Sequence, residues 1–135
     1  MNLVDVQDEI AMAVSTIEEI RAFPWGTMRV VPPQALVGWP SNLQFDDTFG
    51  RGMDSTILPL FVLVGHTDAR ISRVRLGKYL NGDGPDSVKA ALDRFQFTSC
   101  DSARAARARV EMVRVADVEF LGAVFEIEVH GKGAR

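Results

Sequence analysis

Leu3, Val6, Ile10, Ala13, Val14, Ile17 and Ile20 recur at steps of three and four, and that spacing predicts one amphipathic helix running to about Ala22. Asp5, Asp8 and Glu9 stand near its start, where the helix dipole favours negative charge. Pro24 and Gly26 end it. Thr27–Val31 is rich in β-formers and stops at Pro32-Pro33, whose fixed φ and missing donors break the chain before a second short apolar run, Ala35–Trp39, closed by Pro40. Two short strands joined by a proline turn are expected there.

The stretch Phe45–Gly65 joins a polar, glycine-bearing loop directly to the most hydrophobic run of the chain. The loop, residues 41–54, exceeds ordinary hairpin length, and its Phe45 and Phe49 are unlike the composition of unfolded segments, so it is expected to dock onto something. Ile57, Leu58, Leu60, Phe61, Val62, Leu63 and Val64 are nearly continuous, which predicts a strand over Thr56–Gly65 buried on both faces. Pro59 within it demands either a sheet edge or a bulge.

Asp68 is the expected N-cap of a helix reaching Leu80, with Ile71, Val74, Leu76, Tyr79 and Leu80 turned inward. Asn81-Gly82-Asp83-Gly84-Pro85 forces a turn, and a short helix over Ser87–Arg94 presents Val88, Ala91 and Leu92. Two alternating runs, Ala108–Val113 and Leu121–His130, predict a long hairpin turning at Ala116-Asp117, and residues 131–135 are expected to be a flexible tail, mobile or ordered by a neighbour. The order α-β-β-β-α-α-β-β predicts a single α+β domain over residues 1–130. Its two layers are a mostly antiparallel sheet of four to five strands and helices on one face.

A chain of 135 residues with 47% hydrophobic and 24% charged content has the composition of one globular domain. No apolar run reaches membrane-spanning length and the acidic start MNLVDVQDEI lacks the form of a secretory signal, so an intracellular, unprocessed protein is expected. The net charge of −3 gives no general nucleic-acid signature. Residues 1–67 hold eight carboxylates against three arginines, whereas residues 68–135 hold ten acids against twelve bases. Such asymmetry would let an acidic face of one subunit meet a basic face of the next, and ordinary surface variation accounts for it equally well.

Catalytic chemistry finds little support. Cys100 is the single cysteine, which excludes an intrachain disulfide and a cysteine zinc site. His66 and His130 have no cysteine, no H-x-x-x-H spacing and no acidic orienter nearby, so neither a nucleophilic triad nor a zinc site can be assembled. Asp46, Asp47 and Asp54 offer hard oxygen ligands without the EF-hand pattern, and with His66 they are the residues an enzyme or metal-binding reading would use. Gly50-Arg51-Gly52 and Gly82-Asp83-Gly84 lack the spacing of phosphate loops and read as turns. No cofactor is expected. Arg104, Arg107 and Arg109 form a basic cluster that suits a solvated strand face, a phosphate backbone or a carboxylate of a neighbouring subunit.

Four segments together, PQALVGWP (Pro33–Pro40), FDDTFGRGMD (Phe45–Asp54), LPLFVLVG (Leu58–Gly65) and LGKYLNGDGPDSVKAAL (Leu76–Leu92), resemble the small tail terminator proteins of long-tailed phages (siphoviruses), in particular those infecting actinobacteria. The resemblance spans about Leu3–Val129. It implies an α+β fold with the element order above and a hexameric ring on the head-proximal end of the tail tube. Such a ring stops polymerisation of the major tail tube protein and presents a surface to the head-completion proteins of the neck. It also implies a virion protein of the head–tail junction, assembled in the host cytoplasm, that is not an enzyme. DNA would pass through the ring unbound, so the lumen should avoid strongly basic side chains. The alternatives are a head-completion or adaptor protein of the same neck and, from another class, a small enzyme or metal-binding protein. The family has no residue-level contact motif, so the expected contacts follow from residue type and place: Phe45, Asp46, Phe49, Arg51 and Asp54 in the loop, then Arg104, Arg107 and Arg109.

Overall fold

The structure, a computed structural model, describes residues 1–24, 31–45, 52–67, 69–115 and 117–132. Its elements in order are α1 (Leu3–Val14), β1 (Arg21–Phe23), β2 (Gln34–Val37), β3 (Leu43–Gln44), β4 (Met53–His66), α2 (Arg70–Leu80), α3 (Val88–Arg94), β5 (Ser102–Val115) and β6 (Val118–Lys132). The strands form one sheet in the order β1-β2-β4-β6-β5, with β3 also paired to β4. Among the described strands only β1 and β2 run parallel. The fold is α+β with an open sheet, and the predicted class holds.

Asn2 caps α1, its side-chain oxygen accepting from the backbone N–H groups of Val4 at 3.0 Å and Asp5 at 3.2 Å. The helix is shorter than the apolar spacing predicts. Ser15 and Thr16 turn their hydroxyls back to the carbonyls of Ala11 and Ala13, at 2.8 and 2.6 Å, and the chain leaves the helix there. Ile17 and Ile20 nevertheless remain buried, so the spacing marked the core correctly and the helix end wrongly. Arg21–Phe23, expected at or beyond the helix end, is an edge strand instead. Of the strand predicted over Thr27–Val31, residues up to Val30 lie outside the described residues and Val31 belongs to no strand.

The core lies between the helices and one face of the sheet. Along β4, Asp54, Thr56, Leu58, Leu60, Val62 and Val64 are buried, while their alternates are half-buried or exposed. The expectation of burial on both faces is therefore corrected: β4 is covered by helices on one side only. β6 supplies Ala123, Phe125, Ile127 and Val129 to the same core, opposite Val62, Leu60, Leu58 and Thr56. Gly122, opposite Leu63, packs tightly against β4, since a Cβ there would stand 2.5 Å from the Val62 carbonyl oxygen.

Pro59 is accommodated by a change of partner. β2 pairs with Leu60–Leu63 and β3 with Ser55–Thr56, on the same side of β4. The Pro59 carbonyl accepts the Gly38 N–H at 2.8 Å on that side, and a strand residue aims its nitrogen the same way as its carbonyl. The missing donor thus falls in the gap between β2 and β3. The bulge in β4 lies elsewhere, between Leu63 and Gly65.

α2 is rotated relative to expectation. Ser72, Leu76 and Tyr79 face inward, while Ile71 is 60% and Val74 44% exposed. Gly65, at φ 151°, lies directly beneath Ser72, and only a residue without Cβ lets α2 start this close to the strand end. Asp68 lies outside the described residues, and the N-cap is Ala69, which makes no side-chain capping bond. The short helix predicted over Ser87–Arg94 forms as α3, and Ser87 is its N-cap, accepting the Ala90 N–H at 3.0 Å. β6 continues through Gly131 and Lys132, shortening the expected tail, and residues 133–135 lie outside the described residues.

Candidate interaction surface

Among the described residues the helices lie on one face of the sheet, and no helix covers the other. Its rows follow from the register: Leu36, Phe61, Val124 and Arg109; then Pro59, Glu126 and Arg107; then Ile57, Glu128 and Arg104. The half built from β2 and β4 is apolar, with Ile57 48% exposed. On β6 and β5, beside the buried Val124, the face carries Arg104, Arg107, Arg109, Glu126 and Glu128.

The charged half is internally matched. Arg104 meets Glu128 at 3.0 Å, Arg107 meets Glu126 at 2.9 Å and Arg109 meets Glu111 at 2.6 Å. Arg104 and Arg107 stand three apart yet share a face because β5 shifts register between Ala105 and Arg107. The three arginines predicted as contacts are thus brought together on one strand, each beside a carboxylate of its own chain. In each pair the arginine is exposed and the glutamate half-buried, so solvent screens the pair and it adds little to stability. The hydrogen bond and charge of Glu111 raise the Arg109 pKa further above its ordinary value.

The predicted loop contacts divide. Phe45 is 68% exposed just beyond β3, and Trp39, just beyond β2, is 48% exposed. Asp46, Phe49 and Arg51 lie outside the described residues, as does Asp47. Asp54 differs from expectation: it is 7% exposed within β4, opposite Gly131, so its carboxylate is inside the fold rather than offered to a partner. Between the base of this loop and the open face lies a shallow polar cavity of about 230 Å³, lined by Asn42, Gln44, Ser55, Thr56, Ile57, Glu128 and His130. The Thr56 hydroxyl donates to the Asn42 carbonyl and ties β3 to its floor.

Groups with reactive chemistry are scattered. His66 stacks on Phe120 with ring centroids 5.6 Å apart, at the far end of β4 from the cavity. Cys100 is buried, and burial first, then the nearby Glu9 and Asp101 carboxylates, push its thiol up to about 11, which keeps it protonated and unreactive near neutral pH. Among the described residues no three His, Cys, Asp or Glu side chains gather closely enough to hold a metal ion. Glu9 is used structurally: its carboxylate accepts from the N–H groups of Thr98 and Ser99 and from both hydroxyls, joining α1 to the segment before β5. Desolvation raises its pKa, but those hydrogen bonds outweigh it and hold the group below the ordinary carboxylate value.

No known family profile matches the chain, and no curated protein does.

Proposed function

We propose that this chain is a tail terminator of a long-tailed phage, a virion protein that forms a ring, hexameric in this reading, on the head-proximal end of the tail tube. There it stops addition of tube subunits and offers a surface to the neck proteins. The observation that carries the reading is the open sheet face with Ile57, Trp39 and Phe45 exposed around the base of the 46–51 segment. Large apolar side chains left in water beside a shaped polar cavity are the features of a surface that another protein covers. The segment-by-segment resemblance described above supplies the identity of that partner. In this reading Phe45, Phe49 and Arg51 meet the tube or the next subunit, and the matched arginine–glutamate pairs keep the open face free of the excess positive charge that would grip passing DNA.

The test is electron microscopy and light scattering of the purified chain, with and without the major tail tube protein. Rings on tube ends, and loss of them in Phe45→Ala and Phe49→Ala with an unchanged melting temperature, are expected. A chain that neither forms rings nor binds tubes, but is captured by neck proteins, would move the assignment to a head-completion or adaptor protein. Bound metal in the pure protein, lost in Asp46→Ala and Asp47→Ala, would move it to the metal-binding class.

A further inference from the structure

β5 ends the sheet, so one edge of its 14 residues has no strand beside it among the described residues. Long bare edges are normally shortened, bulged or covered, because their unpaired N–H and C=O groups accept another strand. This edge is bulged only near its start, between Ala105 and Arg107. Beyond that point Val110 is 56% and Met112 66% exposed, on the helix-side face of the strand. Nothing from the helices covers them.

The hydrogen-bonding phase of the free edge follows from the sheet. The Pro59 carbonyl bonds toward β2, so Leu60 and its partner Phe125 bond to each other, and the alternating Val124 and Glu126 bond toward β5. Val113, Glu111 and Arg109 therefore bond to β6, while Arg114, Met112, Val110 and Ala108 aim their backbone groups outward. An antiparallel copy of the same strand centred on Val110 would set Val110 against Val110 and Ala108 against Met112, all with outward-facing groups. The same register sets Arg109 against the second copy's Glu111, twice. Registers centred on Arg109 or Glu111 put like charges face to face, and one centred on Ala108 puts Arg107 against Arg109. Opposite charges directly across an antiparallel pair stabilise it and like charges oppose it.

We propose that two copies of this chain pair through β5, antiparallel and centred on Val110, into one continuous sheet with all helices on the same side. The Arg109–Glu111 contact within each strand, at 2.6 Å, is then exchanged for two contacts between copies. The pairing is isologous and closes on itself. The sheet's other edge, β1, has three residues and offers little for a third copy. This inference uses the strand edge alone and does not depend on the ring reading.

Sedimentation equilibrium of the full chain, without tube protein, tests it. A concentration-dependent species of twice 14.9 kDa is expected. Arg109→Glu and Glu111→Arg should each weaken association by about tenfold or more, and the double variant R109E/E111R should restore it. Val110→Pro removes an outward N–H without touching the bonds to β6, and should give a monomer with unchanged circular dichroism. A strict monomer at the highest soluble concentration, or single charge variants that associate like the parent, would overturn the proposal, as would a double variant that stays dissociated. Dimers without rings on tubes would sink the ring reading and leave this one standing. Rings without dimers would do the reverse.

Discussion

β4 and β5 are each 14 residues long and each runs antiparallel to β6, yet they are built from different residues. β4 has strands on both edges and helices over one face, and its covered face carries four side chains, Leu58, Leu60, Val62 and Val64, that are at most 1% exposed. β5 has one neighbour among the described residues, and from Ala103 to Arg109 it is alanine and arginine alone, followed by the exposed Val110 and Met112. Strand length therefore says little about what a strand contributes. The number of sides that other elements cover decides it, and here the central strand carries the core while the edge strand carries contacts.

The sharpest way to break that contrast is truncation. Leu60→Ala should cost about 2 to 5 kcal/mol in denaturant unfolding, whereas Met112→Ala in dilute solution should stay within about 0.5 kcal/mol. Equal costs would mean that β5 is core and the contrast is false. Next is Gly122→Ala, whose Cβ would meet the Val62 carbonyl oxygen at 2.5 Å and Leu63 Cδ2 at 2.9 Å. Forcing β4 and β6 apart should cost about 1 to 3 kcal/mol, read as a fall in Tm.

A smaller effect belongs to Glu9. Its folded pKa is lowered, so its contribution is complete above the ordinary carboxylate pKa and is lost as pH falls through the folded value. Glu9→Gln should lower stability by roughly 1 kcal/mol at neutral pH, with the difference from the parent closing in acid. A difference that persisted unchanged at low pH would assign the role of Glu9 to packing. Smallest is Arg107→Ala, expected to cost about 0.2 to 1 kcal/mol because the Arg107 side chain, paired with Glu126, is 77% exposed. A larger cost would make the charged half of the open face structural.

Much of this was legible in the sequence, and the failures have physical causes. The apolar spacing of Leu3–Ile20 located core residues, but the end of α1 was set by the Ser15 and Thr16 hydroxyls, which periodicity does not register. The β4 run looked buried on both faces because Ile57, Phe61 and Leu63 are apolar on the face without helices. Ile71 and Val74 misled the reading of α2 for the same reason: an apolar residue is not evidence of a cover over it. Counting pairs from the Ala116-Asp117 turn would have found Arg107 opposite Glu126. It would have missed Arg104 opposite Glu128, because the register shift between Ala105 and Arg107 carries no signature in a run of alanines and arginines. Phe45 is exposed, as its loop setting predicts, whereas Asp54 is buried, since β4 begins one residue before it.

The Met1 amino group donates to the Lys132 carbonyl at 2.7 Å, and Met1 packs against Gly131. The two ends of the described chain therefore meet at one corner of the sheet, at the start of β4's pairing with β6. A circular permutant joined there by a short linker and reopened between Gly82 and Gly84, where a Cβ would meet nothing within 4 Å, keeps every strand pairing of the fold. New termini at that turn would free this corner of handles and labels, leaving the loop base, the open face and the β5 edge each to be probed without interference.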